Sequence, residues 1–108
     1  MATMQEIQER LWQNKLAKGF NVTNVEREFN YTYAELAEAY EAYRKAKENV
    51  GAELADVIFY VMSLAKMLDV DLEKEMMAKL KVNEERTYVD FNGHHIRVND
   101  DEKKEELK

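Results

Sequence analysis

Apolar residues return at Ile7, Leu11 and Leu16, near one face of a helix running from about Met4 to Lys18, and Gly19 stands where a C-terminal cap belongs. Beyond it, "FNVTNVERE" offers Thr23 or Asn24 as the N-cap of a long second helix reaching to about Lys47. Along that helix Phe29, Tyr33, Leu36, Tyr40 and Tyr43 alternate by four and three, the spacing of a seam that packs against another helix. The stretch "VGAELADVIFYVMSLAKM", from Val50 to Met67, is the most apolar of the chain; Asn49 is its expected N-cap and the helix should run to about Leu68. Asp71 is the expected cap of a fourth helix, "LEKEMMAKLKVNEER", with acids early and bases late as the helix dipole favours. The period then changes. "TYVDFNGHHIRV" places β-prone residues on both sides of Asn92-Gly93, a preferred two-residue hairpin turn. The last stretch, "NDDEKKEELK", is charged and expected to be frayed or disordered.

These elements predict an all-α fold: a four-helix bundle-like domain with antiparallel helices, plus a short C-terminal β-hairpin. The helical domain should cover residues 1–88, the second part of the hairpin 89–98 and a charged tail 99–108. A chain of 108 residues can form one real core, yet it is small enough that a homodimer or homotetramer is a reasonable expectation. Three glycines and no proline agree with long helices and few tight corners. The absence of cysteine excludes disulfides, thiolate catalysis and cysteine-ligated zinc. A formal net charge of −6 argues against a nucleic-acid backbone as partner, while leaving room for nucleotides held through a cation. No charge-free apolar run reaches the roughly 18 residues of a membrane span. The acidic, amphipathic start "MATMQEIQERLW" does not read as a signal peptide. A soluble, cytoplasmic protein is the expectation.

Within the apolar third helix Glu53 and Asp56 are the only charges before Lys66, and their spacing puts them on one face, a turn apart. The second helix carries Glu35 and Glu38 at the same spacing, with Glu28 almost directly beneath Glu35 two turns earlier. If the two helices pack antiparallel, as the short connection "KENVG" suggests, four acids converge. Two ionised carboxylates about 4 Å apart repel by roughly 4 kcal/mol at an effective dielectric near 20, so four need a compensating cation. Hard oxygen donors without sulfur or imidazole suit Mg²⁺ or Mn²⁺, and Mg²⁺ commonly binds substrate phosphates as well. Simpler accounts stand beside this one. Glu35 and Glu38 fit a solvated helix face, and Glu53 and Asp56 fit a buried salt bridge to Lys79 or Arg86.

The segments "ELAEAYEAYRK" and "GAELADVIFYVMSLAKMLDVDLEKEMMAKLKVNEERTY" resemble the MazG-like family of all-α nucleoside triphosphate pyrophosphohydrolases. The likeness spans about Gly19 to Tyr88. Its marks are an E-x-x-E on one helix, here Glu35 and Glu38, and an E-x-x-D on the next, here Glu53 and Asp56. Lys79, Asn83 and Arg86 then precede an aromatic residue. The resemblance implies hydrolysis of an NTP or dNTP between its α and β phosphates with Mg²⁺, by a dimer or tetramer, with no nucleic acid and no membrane involved. One position departs. The family often carries an acid three residues before the Glu matching Glu35, and this chain has Thr32 there. Either Glu35 and Glu38 form the first pair, or the site relies on Glu35, Glu53 and Asp56 with Glu38 behind them.

On that resemblance, Glu35, Glu38, Glu53 and Asp56 hold metal, and Glu38 is the candidate general base. Lys79 and Arg86 neutralise phosphate charge, Asn83 donates a hydrogen bond, and the three share one face of the fourth helix. Base stacking falls to Trp12, Phe20 or a tyrosine of the second helix. Adjacent strand residues point to opposite faces, so His94 and His95 read as hairpin surface and not as a chelating pair. Met62, Met67, Met76 and Met77 read as core or interface filler. The hairpin, marginal as an isolated two-stranded unit, is a candidate for pairing across a subunit boundary. The competing reading is a non-catalytic helical oligomer or nucleotide-binding regulatory module that retains the fold.

Overall fold

A computed structural model describes residues 2–98. It contains helices α1 (Met4–Lys18), α2 (Val25–Arg44), α3 (Val50–Met67) and α4 (Leu72–Glu85), followed by strands β1 (Thr87–Phe91) and β2 (His94–Val98). The architecture is all-α with a short antiparallel hairpin appended. The chain divides into two compact units, the first ending at Glu73 and the second beginning at Lys74. No described helix is long and apolar enough to cross a membrane.

The helix ends follow from local chemistry. Thr3 caps α1 by accepting from the Glu6 N–H (3.1 Å), and Asn24, one of the two expected residues, caps α2 by accepting from the Arg27 N–H (2.9 Å). Helices α1, α2 and α3 all close the same way, with a left-handed residue after the last turn: Gly19 (φ 69°), Ala46 (φ 53°) and Asp69 (φ 56°). In each case the next N–H reaches back five residues, Phe20 to Lys15 O, Lys47 to Ala42 O and Val70 to Ala65 O, at 2.8–2.9 Å. Helix α2 therefore stops at Arg44, short of the expected Lys47. Asn49 occupies the N-cap of α3 but makes no capping bond; its amide donates to Glu53 Oε1 at 3.1 Å instead.

In the first unit α3 is the middle helix, packed most closely against α2 and also against α1. Lys15 ties Glu28 of α2 to Ser63 of α3, while the carboxylate of Glu35 meets that of Glu53. Rising numbers on α2 thus meet falling numbers on α3, so the two helices run antiparallel, as the short connection requires. The inward row of α2 is Glu28, Thr32, Glu35, Ala39 and Ala42, and the buried apolar side chains are Ala39, Ala42, Met62, Leu64 and Ala65.

That row corrects two sequence expectations. The aromatic seam lies one residue further round the helix and is exposed along its whole length, from Phe29 at 44% to Tyr43 at 71%. The seam spacing is real, but α3 takes the neighbouring stripe, where alanines allow close helix approach. On α1 it is Lys15 that turns inward beside the half-buried Ile7 and Leu11, and Leu16 is exposed. The reason is a partner: Lys15 finds a carboxylate, and a leucine there would leave Glu28 buried without a cation.

In the second unit, Asn92 (φ 52°) and Gly93 (φ 80°) both take the left-handed region that a tight hairpin turn needs. The register pairs Thr87 with Val98 and Val89 with Ile96. His94 is exposed, in keeping with a surface reading. Met62 is buried and Met67 half-buried, whereas Met76 and Met77 on α4 are exposed. The expected frayed tail, 99–108, lies outside the described residues.

Candidate functional site

The inward row of α2 carries Glu35, and Glu38 lies one turn further on, at the exposed edge of that row. Across the interface α3 presents Glu53, the first member of its own inward row Glu53, Val57, Tyr60 and Leu64. One carboxylate oxygen from each of Glu35, Glu38 and Glu53 lies within 4.8 Å of the others. Glu35 and Glu53 are half-buried and Glu38 is exposed. Burial pushes the Glu35 carboxyl above its ordinary pKa, and the charges of Glu38, Asp56 and Glu53, with a hydrogen bond to Glu38, push the same way.

Asp56 belongs to the neighbourhood but not to this triplet. Three residues beyond Glu53, it sits at the edge of the α2-facing row and is exposed. The sequence expectation of two acids sealed in apolar surroundings is corrected accordingly: Glu53 is half-covered, and Asp56 faces an open cleft. Within the first unit, no lysine or arginine among the described residues forms an ion pair with any of these four acids. Thr32, at the position where an acid was expected, donates its hydroxyl to the Glu28 carbonyl (2.8 Å) and turns no anionic ligand toward the cluster.

The chemistry of the donor set fits a hard divalent cation. Three carboxylates converge, with no sulfur or imidazole in the group among the described residues, and the neighbouring acids add to burial in holding the Glu35 proton.

Beside the cluster runs a cleft of about 690 Å³ whose lining includes Phe20, Arg27, Glu28, Tyr31, Asp56, Phe59, Tyr60 and Ser63. Tyr31 and Tyr60 meet edge to face with ring centroids 6.1 Å apart. Burial raises the Tyr60 phenol pKa, and the charges of Glu35, Glu28 and Asp56 add to the effect. The floor is polar. Glu28 and Ser63 are each 1% exposed and Lys15 is 6% exposed. Lys15 donates to Glu28 Oε2 and to Ser63 Oγ, and Asn21 donates to Glu28 Oε1 at 3.2 Å.

Of the two stacking candidates on α1 and its following loop, Phe20 lines the cleft. Trp12 is half-buried outside the lining, with the Lys15 ammonium 5.7 Å from its ring centroid. Lys79 and Asn83 are exposed on α4 in the second unit. Arg86 directly follows the last residue of α4, its N–H still bonded to the Val82 carbonyl (3.1 Å), and its guanidinium donates to Asn83 Oδ1 at 2.8 Å, so these two side chains share a face.

Sequence reasoning missed Lys15, Ser63 and Tyr60. The signal for Lys15 was available. Met4, Ile7, Gln8, Leu11, Trp12 and Lys15 fall at i, i+3, i+4, i+7, i+8 and i+11, one face of the helix, so a lysine ends an otherwise inward stripe. A charged residue in such a stripe calls for an opposite charge, and Glu28, on the same face of α2 as Glu35, supplies it.

A family model, that of the MazG-like family, matches residues 18–100, a span that holds all four acids. Comparisons with curated proteins and with solved structures give no match.

Proposed function

The chain belongs to the MazG-like family, and on that premise we propose that it is a Mg²⁺-dependent nucleoside triphosphate pyrophosphohydrolase. It takes an NTP or dNTP, adds water across the bond between the α and β phosphates, and releases a monophosphate and pyrophosphate. The observation that carries this reading is the convergence of Glu35, Glu38 and Glu53 on one point, with no ion pair to a lysine or arginine of the first unit among the described residues.

Glu35, Glu38 and Glu53 would hold the metal, with Asp56 reaching it from the rim of the cleft. A divalent cation there, Mg²⁺ or Mn²⁺, supplies charge neutralisation for the triphosphate and acidifies a coordinated water. Glu38, the most open member of the triplet, is suited to accept a proton from the attacking water. Asn49 holds Glu53 by its Oε1 and so fixes that carboxylate before substrate arrives. For Lys79, Asn83 and Arg86, the family pattern is what supports binding and neutralisation of the phosphates. Phe20 at the cleft wall is suited to stack on the base, and Trp12, outside the lining, is not.

Thr32 favours the second reading, a nucleotide-binding module without turnover, because its hydroxyl is spent on the α2 backbone. Turnover of Glu53→Gln and Asp56→Asn separates the two. The enzyme reading expects each to lose about 100-fold or more in kcat, the scale of removing a groups that hold transition-state charge, while the circular dichroism spectrum is kept. A wild-type protein that binds nucleotide with Mg²⁺ and yields no product would establish the module instead.

A further inference from the structure

The hydrolase reading uses the acid cluster and leaves the buried Glu28–Lys15 pair without a task. Its position is specific. Glu28, Lys15 and Ser63 line the floor of the same cleft that Asp56 enters from the rim. Asp56 and Ser63 lie two turns apart on α3, a rise of about 10 Å. A nucleotide has that reach from its phosphates to the far edge of its base.

Charge fixes which end goes where. The Glu28–Lys15 pair is neutral overall, whereas the acid cluster can hold a divalent cation, so the triphosphate belongs at the cluster and the base over Glu28. Phe20, Tyr31, Phe59 and Tyr60 then supply the aromatic walls. A carboxylate accepts hydrogen bonds at about four lone-pair positions and donates none. Two of those on Glu28 are taken, by Lys15 and Asn21. Lys15 has three donors, and two are directed to Glu28 and Ser63.

Resting on the nucleotide reading of the site, we propose that Glu28, held by Lys15, is a specificity-determining residue that selects a base carrying an exocyclic amino group over its oxo counterpart. An amino group presents N–H to the carboxylate. A carbonyl at the same ring position sets oxygen lone pairs against a carboxylate that has no proton to give, and both lose their water in a buried site. The Lys15 ammonium beside Glu28 suits a neighbouring ring acceptor. The cleft volume admits purines and pyrimidines alike, so the selection is by edge and not by ring size.

The test is binding of monophosphates to the whole protein with Mg²⁺, by calorimetry, so that no turnover is needed. CMP should bind roughly tenfold tighter than UMP, and AMP than IMP, the discrimination one good base contact provides. The monophosphate of N4,N4-dimethylcytidine, which keeps the ring and lacks the N–H groups, should bind as weakly as UMP. Glu28→Gln, whose amide can donate, should bring the CMP:UMP ratio to about one or below. Equal affinity of the wild type for CMP and UMP overturns the proposal, as does tight binding of the dimethyl analogue or no binding of any monophosphate. The wild-type and analogue comparisons decide the matter even if Glu28→Gln does not fold. Base preference without hydrolysis would sink the enzyme reading and keep this one; hydrolysis without base preference would do the reverse.

Discussion

Glu35 is the residue where fold and function pull hardest against each other. Its carboxyl is half-buried beside three other acids, and its pKa is raised from the ordinary 4.5. The folded state therefore holds the Glu35 proton more tightly than the unfolded chain does. The linkage sign follows: this group favours folding most at and below its unfolded value, and that contribution falls as pH rises from 4.5 through the raised folded value. Glu35→Gln, which stays neutral, should raise the melting temperature of the metal-free protein at pH above 4.5 and have little effect below that pH, while abolishing turnover. Scanning calorimetry of both proteins in chelator across that range checks it; a destabilised Glu35→Gln at neutral pH would contradict the crowding of charge. Saturating Mg²⁺ should stabilise the wild type and lose most of that effect in the variant. Lys15 and Glu28 show the opposite economy, opposite charges joined where water is scarce. Glu28→Ala should cost about 3 kcal/mol or more in urea unfolding, because it strands the Lys15 ammonium.

At the scale of elements, the helices were legible because each carries its own period and stop signal. Gly19 announces the end of α1, and Asn92-Gly93 announces the hairpin turn. What the chain does not announce is which of two adjacent stripes turns inward. On α2 the aromatic stripe and the Glu28–Glu35–Ala39–Ala42 stripe share the same four-three spacing one residue apart. Hydrophobicity favours the first; α3 packs against the second, whose alanines permit close approach and whose acids meet Lys15 and Glu53. The acid pairs were readable for the same reason, since spacing and antiparallel topology sufficed, whereas the rim position of Asp56 depended on the rotation of α3. Ala46 was not readable. Nothing in "YRKAKEN" marks a left-handed alanine, and α2 looks able to continue. Ala46→Gly should stabilise the protein by about 1 kcal/mol, read as a higher melting temperature, because glycine takes φ 53° without the Cβ clash. No gain would mean that the α2 terminus relaxes out of that conformation.

For the whole molecule, the exposed stripe has its own consequence. Phe29, Tyr33, Leu36, Tyr40 and Tyr43 form a continuous apolar band along 15 residues of α2, more than a lone soluble domain ordinarily leaves to water. We propose a second copy of the chain as its cover, in line with the expected dimer or tetramer. Leu36→Glu together with Tyr40→Glu should lower the mass found by sedimentation to that of one chain with helicity retained. A wild type that sediments as a monomer of 12.8 kDa would remove that proposal.

Phosphorus NMR of the products shows directly which phosphoanhydride bond is broken. Purified protein with Mg²⁺ and each standard NTP or dNTP should give monophosphate and pyrophosphate signals that disappear in Glu53→Gln. Diphosphate with inorganic phosphate would mean attack at the γ position and a different use of the acid cluster, and signals unchanged in Glu53→Gln would contradict the account outright.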